Sequence, residues 1–159
     1  MTPFLSERLE HVHDHDRFDY GVGSLNDWLL REAHRAQRSD TARSYVWIKE
    51  GSLSVVGYYA ITPTEVVKAD LTRSLAGGVS VVPGYLLGRL ALHRSLHGSG
   101  VGSWLLHEAL ETAIKASELA GGRIIVVDAI DDYAAAFYTH HVHAPRVPSD
   151  QAEFAAVGP

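Results

Sequence analysis

Residues 85–116 read YLLGRLALHRSLHGSGVGSWLLHEALETAIKA, and they predict a strand, a glycine loop and a helix in direct succession. Residues 85–92 are apolar apart from one glycine and one arginine, and they are short enough for a buried strand. The glycines of HGSGVG alternate with small residues, so the backbone there can bend tightly and approach a ligand closely. Leucines and alanines then recur at helical spacing, which predicts a helix with one apolar face.

A helix that begins directly after a glycine loop offers unpaired N–H groups to a phosphate or pyrophosphate. An ATPase-type phosphate loop would end in Gly-Lys-Ser/Thr, whereas Gly102 is followed by Ser103 and Trp104. A dinucleotide-binding loop would follow the first strand of a βαβ unit, and this loop comes late in the chain. An acyl-CoA pyrophosphate loop and a plain strand-to-helix turn both remain open.

Length and composition favour one domain of a water-soluble enzyme or binding protein. The chain has 159 residues, of which 46% are hydrophobic and 21% charged, and it has no cysteine. A thiol nucleophile and a thiolate metal site are therefore excluded. The first ten residues, MTPFLSERLE, lack the basic region and apolar run of a secretory signal, so we expect a cytoplasmic protein. A net charge of −5 argues against a wholly basic surface but allows a local basic patch.

The N-terminal part predicts a strand over residues 4–12 and a helix from Ser24. His11, His13 and His15 alternate and would share one face of a strand, yet no further ligand is assured, so a polar loop is favoured over a metal site. The helix carries an apolar stripe formed by Leu25, Trp28, Leu29, Ala33 and Ala36.

Four arginines lie on or just beyond this helix. Arg31, Arg35 and Arg38 are spaced to line one helical face, and Arg43 would extend that row. A solvated charged face is one interpretation, and a contact with a nucleic-acid phosphate backbone is the other.

The remaining chain completes an α+β, mixed α/β layer with a single sheet. Residues 44–49 and 53–67 predict a β-hairpin, and residues 68–82 predict a loop. After the central helix we expect a stop at Gly121-Gly122, a buried strand over 124–129, a helix over 131–140 and a weak last strand over 152–157.

The chain resembles the GCN5-related N-acetyltransferase (GNAT) superfamily, and within it the toxins of type II toxin–antitoxin modules. The resemblance spans most of the chain and lies in segments that occur in the family's order: HDHDRFDYGVGSLNDWL, RSYVW, VVGYYAIT, LLGRLAL, HGSGVGSWLL, VVDA and AAAFY. It implies a single GNAT domain over residues 1–159, with a central, mostly antiparallel sheet flanked by helices.

The resemblance also implies a site and a reaction. Acetyl-CoA would be bound by the strand end and the glycine loop, that is by Leu90, Ala91, Leu92, His97, Gly98, Ser99, Gly100, Val101, Gly102 and Ser103. Tyr138 would protonate the departing CoA sulfur, and no metal is implied. The implied acceptor is the α-amine of aminoacyl-tRNA, whose acetylation stops translation. The implied partners are a ribbon-helix-helix antitoxin and a second copy of the chain.

Three departures from the family pattern leave other functions open. His97 replaces the usual Gln or Arg of the pyrophosphate loop, Val142-His143 replaces a Gly-Phe pair, and the tail AEFAAVGP is less apolar than the usual last strand. An acetyltransferase acting on a small-molecule or protein amine is one alternative. A catalytically decayed module that only engages an antitoxin is the other.

Overall fold

The computed structural model describes residues 4–16, 18–21, 23–67, 78, 80–128, 136–137 and 152–156. The strands of these residues are β1 (Phe4–Arg8), β2 (Arg43–Lys49), β3 (Val55–Val67), β4 (Val81–Leu92), β5 (Ile124–Asp128) and β6 (Ala152–Ala156). The longer helices are α1 (Gly23–Asp27), α2 (Ala33–Arg38) and α3 (Gly102–Ala120). A π-helical turn, Trp28–Glu32, joins α1 to α2, and a 3₁₀ turn, Arg94–Leu96, precedes the glycine loop.

The strands are hydrogen-bonded in the order of the sequence, β1-β2-β3-β4-β5-β6. The β1–β2, β2–β3 and β5–β6 pairs are antiparallel, and β4 and β5 are parallel. The described register of β4 with β5 runs from Gly84↔Ile124 to Leu87↔Val127, and β4 continues beyond it to Leu92. The predicted α+β fold with a mostly antiparallel sheet is confirmed.

The chain packs as two compact units, and the first comprises Met1–Ile61 and Arg89–Glu108. One core of this unit lies between the α1–α2 helices and the sheet, and it consists of Leu9, Phe18, Leu25, Leu29, Ala33, Val46, Val55, Tyr58 and Ala91. On Gly57 of β3, an added Cβ would lie 3.2 Å from the Leu92 side chain and 3.5 Å from that of Leu105. Trp47 donates a 2.9 Å hydrogen bond to Glu108, which ties α3 to β2.

The second unit comprises Thr62–Gly88 and Ala109–Pro159. Within it β4 and β5 approach so closely that a Cβ on Gly84 would clash with the main chain of Ile124. The Tyr85 hydroxyl donates to the Gly121 carbonyl at 2.6 Å, directly after the end of α3. The helix stop predicted at Gly121-Gly122 is therefore confirmed.

Two predicted boundaries change, and the predicted last strand is present. β4 begins at Val81 instead of residue 85. Pro83 and Gly84 are residues that usually mark a loop, so the sequence did not indicate a strand there, although β4 pairs with β5 from Gly84 onward. β1 ends at Arg8, so the alternating histidines lie in the turns that follow and not on one strand face. The weakly apolar tail does form a strand, β6, because it pairs antiparallel with all five residues of β5.

The described part of the chain contains no helix that is both long enough and apolar enough to span a membrane. Most of the predicted 68–82 loop, residues 68–77 and 79, lies outside the described residues. Of the predicted 131–140 helix, only residues 136 and 137 are described, and both are helical.

Candidate active site

The glycine loop joins the 3₁₀ turn to α3 and has the backbone form that its sequence predicts. Gly98 and Gly100 adopt positive φ angles of 75° and 85°, a region that side chains with a Cβ rarely enter. Both positions are exposed, and an added Cβ would meet nothing within 4 Å. Glycine is therefore required by the backbone conformation and not by a lack of space.

The loop presents a row of main-chain donors. Ser99 donates its N–H to the Leu96 carbonyl, and Trp104 and Leu105 donate theirs to the Val101 carbonyl. Within the residues that the structure describes, no protein group accepts from the N–H groups of Gly98, Gly100 or Val101. These donors lie beside the first turn of a 19-residue helix, whose dipole also favours an anion. The donor set fits a pyrophosphate.

His97 is exposed, and its side chain is engaged with the strand that precedes the loop. Its Nε2 lies 2.7 Å from the Leu92 carbonyl oxygen, so this nitrogen donates the hydrogen bond. His97 thereby holds the end of β4 against the start of the loop. The segment of residues 90–92 and the loop of residues 97–103, which sequence analysis assigned to acetyl-CoA, are brought together in the first unit.

A second loop, residues 18–21, braces the glycine loop and was missed by sequence analysis. Asp19 accepts hydrogen bonds from Gly21 N, Asn26 Nδ2 and Arg94 Nη1, at 2.8, 3.0 and 3.1 Å. Arg94 also donates its backbone N–H to the Asp19 carbonyl at 2.7 Å. The hydrogen bonds from Asn26, Gly21 and Arg94 lower the pKa of the Asp19 carboxyl to about 2.

The ring of Tyr20 continues this contact. It meets the His97 imidazole edge-on, with ring centroids 5.0 Å apart. Because Asp19 and Arg94 are 75 positions apart, no local pattern indicated the pairing. The bracing loop therefore fixes both ends of the segment that leads from β4 into the glycine loop.

Tyr58 and Tyr59, in the segment VVGYYAIT that resembles the family, are core residues. Both are almost fully buried. The Tyr58 hydroxyl donates to the Leu25 carbonyl at 2.8 Å, and burial raises its pKa above its ordinary value. Tyr59 stacks on Tyr45 with centroids 5.2 Å apart. Neither tyrosine offers a base at the site.

The π-helical turn and α2, which we refer to together as the basic helix, carry three exposed arginines, Arg31, Arg35 and Arg38. Arg35 lies 3.7 Å from Glu32, and both side chains are exposed enough that this pair contributes little. Arg43 differs from the other three. It pairs with Asp40 and donates a 3.1 Å hydrogen bond to the Gln37 carbonyl, which fastens α2 to β2.

A groove of about 420 Å³ lies beside the basic helix and is lined by Leu9, Glu10, His11, Val12, His34, Gln37 and Arg38. The His11 and His34 rings stack in parallel at 4.7 Å, and His15 meets His34 at 5.5 Å. His13 is buried instead and lies 2.7 Å from Glu7. Among the described residues, no three His, Asp or Glu side chains are placed to hold a metal ion.

The histidine stack makes stability depend on pH. Burial lowers the pKa of His34 from its ordinary value of 6.5, and the nearby His11, His15, Arg38 and His13 add to that effect. Below about pH 6.5 His34 is therefore protonated more readily in the unfolded chain than in the folded chain. The contribution of His34 to the free energy of unfolding is present in full above that pH and is lost as the pH falls.

We expect the free energy of unfolding to fall as the pH drops below about 6.5, and to fall less in a His34→Gln variant. Urea unfolding at a series of pH values measures this, with His107→Gln on the exposed face of α3 as the control. If wild type and His34→Gln have equal pH slopes, the stack does not contribute.

Tyr138 lies outside the described residues, so its predicted role stays a prediction. The same holds for the Val142-His143 pair. The neighbouring Ala136 and Phe137 are helical.

The geometry and the sequence agree with one family. Residues 6–142 match the profile of the acetyltransferase (GNAT) family, and the chain belongs to that family. The chain is also 35% identical over 134 residues to a tRNA-acetylating toxin of Mycobacterium tuberculosis, covering 84% of this chain and 80% of that protein. The resemblance to the toxin branch of the family is confirmed.

Two solved structures are similar over almost the whole chain. One is the toxin AtaT complexed with acetyl-methionyl-tRNAfMet, with 27% identity, a TM-score of 0.87 and coverage of 96% of this chain and 94% of that one. The other is a mutant AtaT toxin bound to the C-terminus of the antitoxin AtaR and to acetyl-CoA. It has 27% identity, a TM-score of 0.83 and coverage of 98% and 94%.

Proposed function

We propose that this protein is an N-acetyltransferase toxin that transfers the acetyl group of acetyl-CoA to the α-amine of aminoacyl-tRNA and so blocks translation. The observation that carries the proposal is the glycine loop. Its N–H donors at Gly98, Gly100 and Val101 lie between the 3₁₀ turn that follows β4 and the start of α3, in a chain 35% identical to a tRNA-acetylating toxin. A single acetyltransferase domain over residues 1–159 performs the reaction.

The chain supplies two parts of the acetyl-CoA site. Main-chain groups of Leu90, Ala91 and Leu92 bind the pantetheine arm, and the loop from His97 to Ser103 binds the pyrophosphate through its N–H groups and the helix dipole. Because His97 already donates to Leu92, the loop depends on its backbone for most of its attraction to the anion.

The reaction forms a bond between the acceptor nitrogen and the acetyl carbon and breaks the carbon–sulfur bond. An α-amino group has a pKa of about 7.7–8.0, so part of it is neutral near pH 7 and a dedicated strong base is less necessary than for lysine. The amine releases its proton to solvent, and Tyr138 donates a proton to the departing sulfur.

Arg31, Arg35 and Arg38 bind the phosphate backbone of the tRNA acceptor stem, and Arg43 supports the helix from its end. The support is their exposure along one helix in a chain with a net charge of −5. Such phosphate contacts fix the position of a nucleic acid and make its binding depend on salt.

Reversing the charge at both Arg35 and Arg38 to Glu is expected to weaken tRNA binding and leave acetyl-CoA binding intact. The slope of log affinity against log salt should flatten by about 0.7–0.9 for each phosphate that the variant no longer neutralises. Filter binding over a salt series measures both effects. The double reversal Arg8→Glu with Lys115→Glu, at exposed positions outside the helix, is the charge-matched control. Equal affinities and slopes in the two double variants would make the arginines a solvated face.

The same proposal assigns the partners and the compartment. The similar AtaT toxin is bound to the C-terminus of the antitoxin AtaR, which supports an antitoxin partner for this protein. The sequence resemblance implies that this partner is a ribbon-helix-helix antitoxin that neutralises the toxin. The toxin acts as a homodimer in the cytoplasm, where aminoacyl-tRNA and acetyl-CoA are both present. Co-expression with the product of an adjacent ribbon-helix-helix gene should rescue growth, and light scattering should give the mass of two chains.

A competition assay tests the proposed acceptor. Wild-type protein with labelled acetyl-CoA is offered charged tRNA, uncharged tRNA, polyamines and a lysine-rich protein in one mixture. We expect label on charged tRNA and none on uncharged tRNA. Label that goes to the polyamine or protein amines instead would identify an acetyltransferase of another class of amine. Absence of transfer with intact acetyl-CoA binding would identify a decayed module.

A further inference from the structure

A stack of side chains extends from the core of the first unit to Arg89, near the C-terminal end of β4, which is part of the candidate site. Phe18 meets Tyr58 edge-on at 5.4 Å, Tyr58 stacks in parallel on Trp28 at 6.0 Å, and the Arg89 guanidinium carbon lies 5.6 Å from the centroid of the Trp28 ring. We refer to Phe18, Tyr58 and Trp28 as the aromatic column. Arg89 covers its last ring.

The aromatic column is rigidly held. Phe18 and Tyr58 are buried, and the hydrogen bond from Tyr58 to the Leu25 carbonyl fixes the column to α1. Trp28 begins the π-helical turn, in which the Ala33 N–H donates to the Trp28 carbonyl. Isolated π turns are frequent at functional sites. Trp28 therefore offers Arg89 a fixed ring face.

Arg89 is adjacent in sequence to the segment assigned to the pantetheine arm. The Cα atoms of Arg89 and Leu90 are about 3.8 Å apart, the distance between successive residues, so Arg89 lies directly beside the segment 90–92. Side chains alternate along a strand, so Arg89 shares the face of Ala91, which packs in the core beside Leu25 and Leu29. The guanidinium is thus on the α1 side of the strand end, beside the helix that continues into Arg31, Arg35 and Arg38.

The acceptor amine must approach the acetyl carbon to within about 3–3.5 Å. Whatever carries that amine consequently passes close to residues 89–92. If the proposed function holds, the carrier is the 3′ end of tRNA, whose last phosphodiester is the nearest anion to the aminoacyl ester. A guanidinium presents a planar fork of N–H donors that matches two phosphate oxygens, and an aromatic face fixes its plane.

We propose that Arg89, oriented by Trp28, binds the terminal phosphodiester of aminoacyl-tRNA and so selects an amine borne by a nucleic acid over the same amine without a phosphate. This inference rests on the proposed function and adds a substrate-binding residue to it. The contact acts at the reacting end of the acceptor, whereas the basic helix acts further along the acceptor stem.

Two synthetic acceptors isolate this contact. One is an aminoacylated CCA trinucleotide, which keeps the terminal phosphodiester, and the other is the same amino acid on adenosine, which has no phosphate. Wild type, Arg89→Gln, Arg89→Lys and Trp28→Leu are compared by kcat/KM on both acceptors, with Arg8→Gln as the control for loss of one exposed positive charge. Stabilisation by acetyl-CoA shows that each variant is folded.

We expect wild type to prefer the trinucleotide by about tenfold or more, the range of a charge-assisted hydrogen bond. Arg89→Gln should lose that preference, because its kcat/KM should fall more on the trinucleotide than on aminoacyl-adenosine. Arg89→Lys and Trp28→Leu should lose part of it, because neither keeps a stacked guanidinium fork.

Arg8→Gln should keep the full preference. A wild type that acetylates both acceptors equally well would contradict the role of Arg89 and leave the proposed function standing, as would an Arg89→Gln variant that keeps the preference. A wild type inactive on both acceptors and on intact aminoacyl-tRNA would contradict the proposed function itself.

Discussion

Replacing Tyr138 with phenylalanine is expected to lower kcat for acetylation of aminoacyl-tRNA by about 10²–10⁴-fold, the usual contribution of a general acid. The variant keeps the ring and loses only the hydroxyl that would protonate the CoA sulfur. Acetyl-CoA affinity should change little, because the lost interaction matters in the transition state and not in the bound state. Steady-state kinetics with charged tRNA measure kcat, and a thermal shift measures binding.

The control is Tyr45→Phe, which removes a hydroxyl from a tyrosine that stacks on Tyr59 in the sheet. Expression of wild type without a partner should arrest growth, as should the Tyr45→Phe variant, whereas Tyr138→Phe should not. Full activity in Tyr138→Phe would remove Tyr138 from the reaction and leave the acid to be found elsewhere.

Replacing Gly100 with aspartate is expected to abolish the stabilisation by acetyl-CoA. Saturation to 100 times Kd stabilises a protein by about 2.7 kcal/mol, which for a chain of this size raises Tm by about 5–10 °C. The aspartate places a carboxylate among the N–H donors that would bind the pyrophosphate. Differential scanning fluorimetry with and without acetyl-CoA measures the shift.

Gly100→Asn is the matched control, since Asn and Asp have the same shape and both tolerate the positive φ of 85°. An added Cβ meets nothing within 4 Å, so neither variant is crowded. The Asn variant should retain a shift and the Asp variant should show none. Equal shifts in the two variants would mean that the pyrophosphate binds elsewhere.

The local features of the fold could be predicted because each depends on residues that lie close together in the sequence. The glycine loop, the apolar face of α3 and the hairpin of β2 and β3 were all predicted near their observed bounds. The start of β4 was harder because Pro83 and Gly84 interrupt its apolar residues, and β6 was harder because its residues are weakly apolar. These strands are stabilised by pairing with β5, and such pairing is a property of two distant segments.

The candidate site shows the same difference between local features, which could be predicted, and contacts between distant residues, which could not. The loop residues carry their signal locally, in glycines that the backbone conformation requires. The bracing of Arg94 by Asp19 and the stacking of Arg89 on Trp28 join residues far apart in the chain, and neither has a spacing that could reveal it. The strand predicted over residues 4–12 was too long, because β1 ends at Arg8 and the alternating histidines lie in the turns that follow, where His13 is buried.

The central claim is that the acceptor is the α-amine of an amino acid esterified to tRNA. The most direct measurement is mass spectrometry of the aminoacyl-adenosine released by ribonuclease from charged tRNA after incubation with wild-type protein and acetyl-CoA. We predict that the released species gains the mass of one acetyl group, on the amino nitrogen, and that Tyr138→Phe leaves it largely unmodified. Unmodified aminoacyl-adenosine from a wild-type protein that binds acetyl-CoA and tRNA would contradict the account.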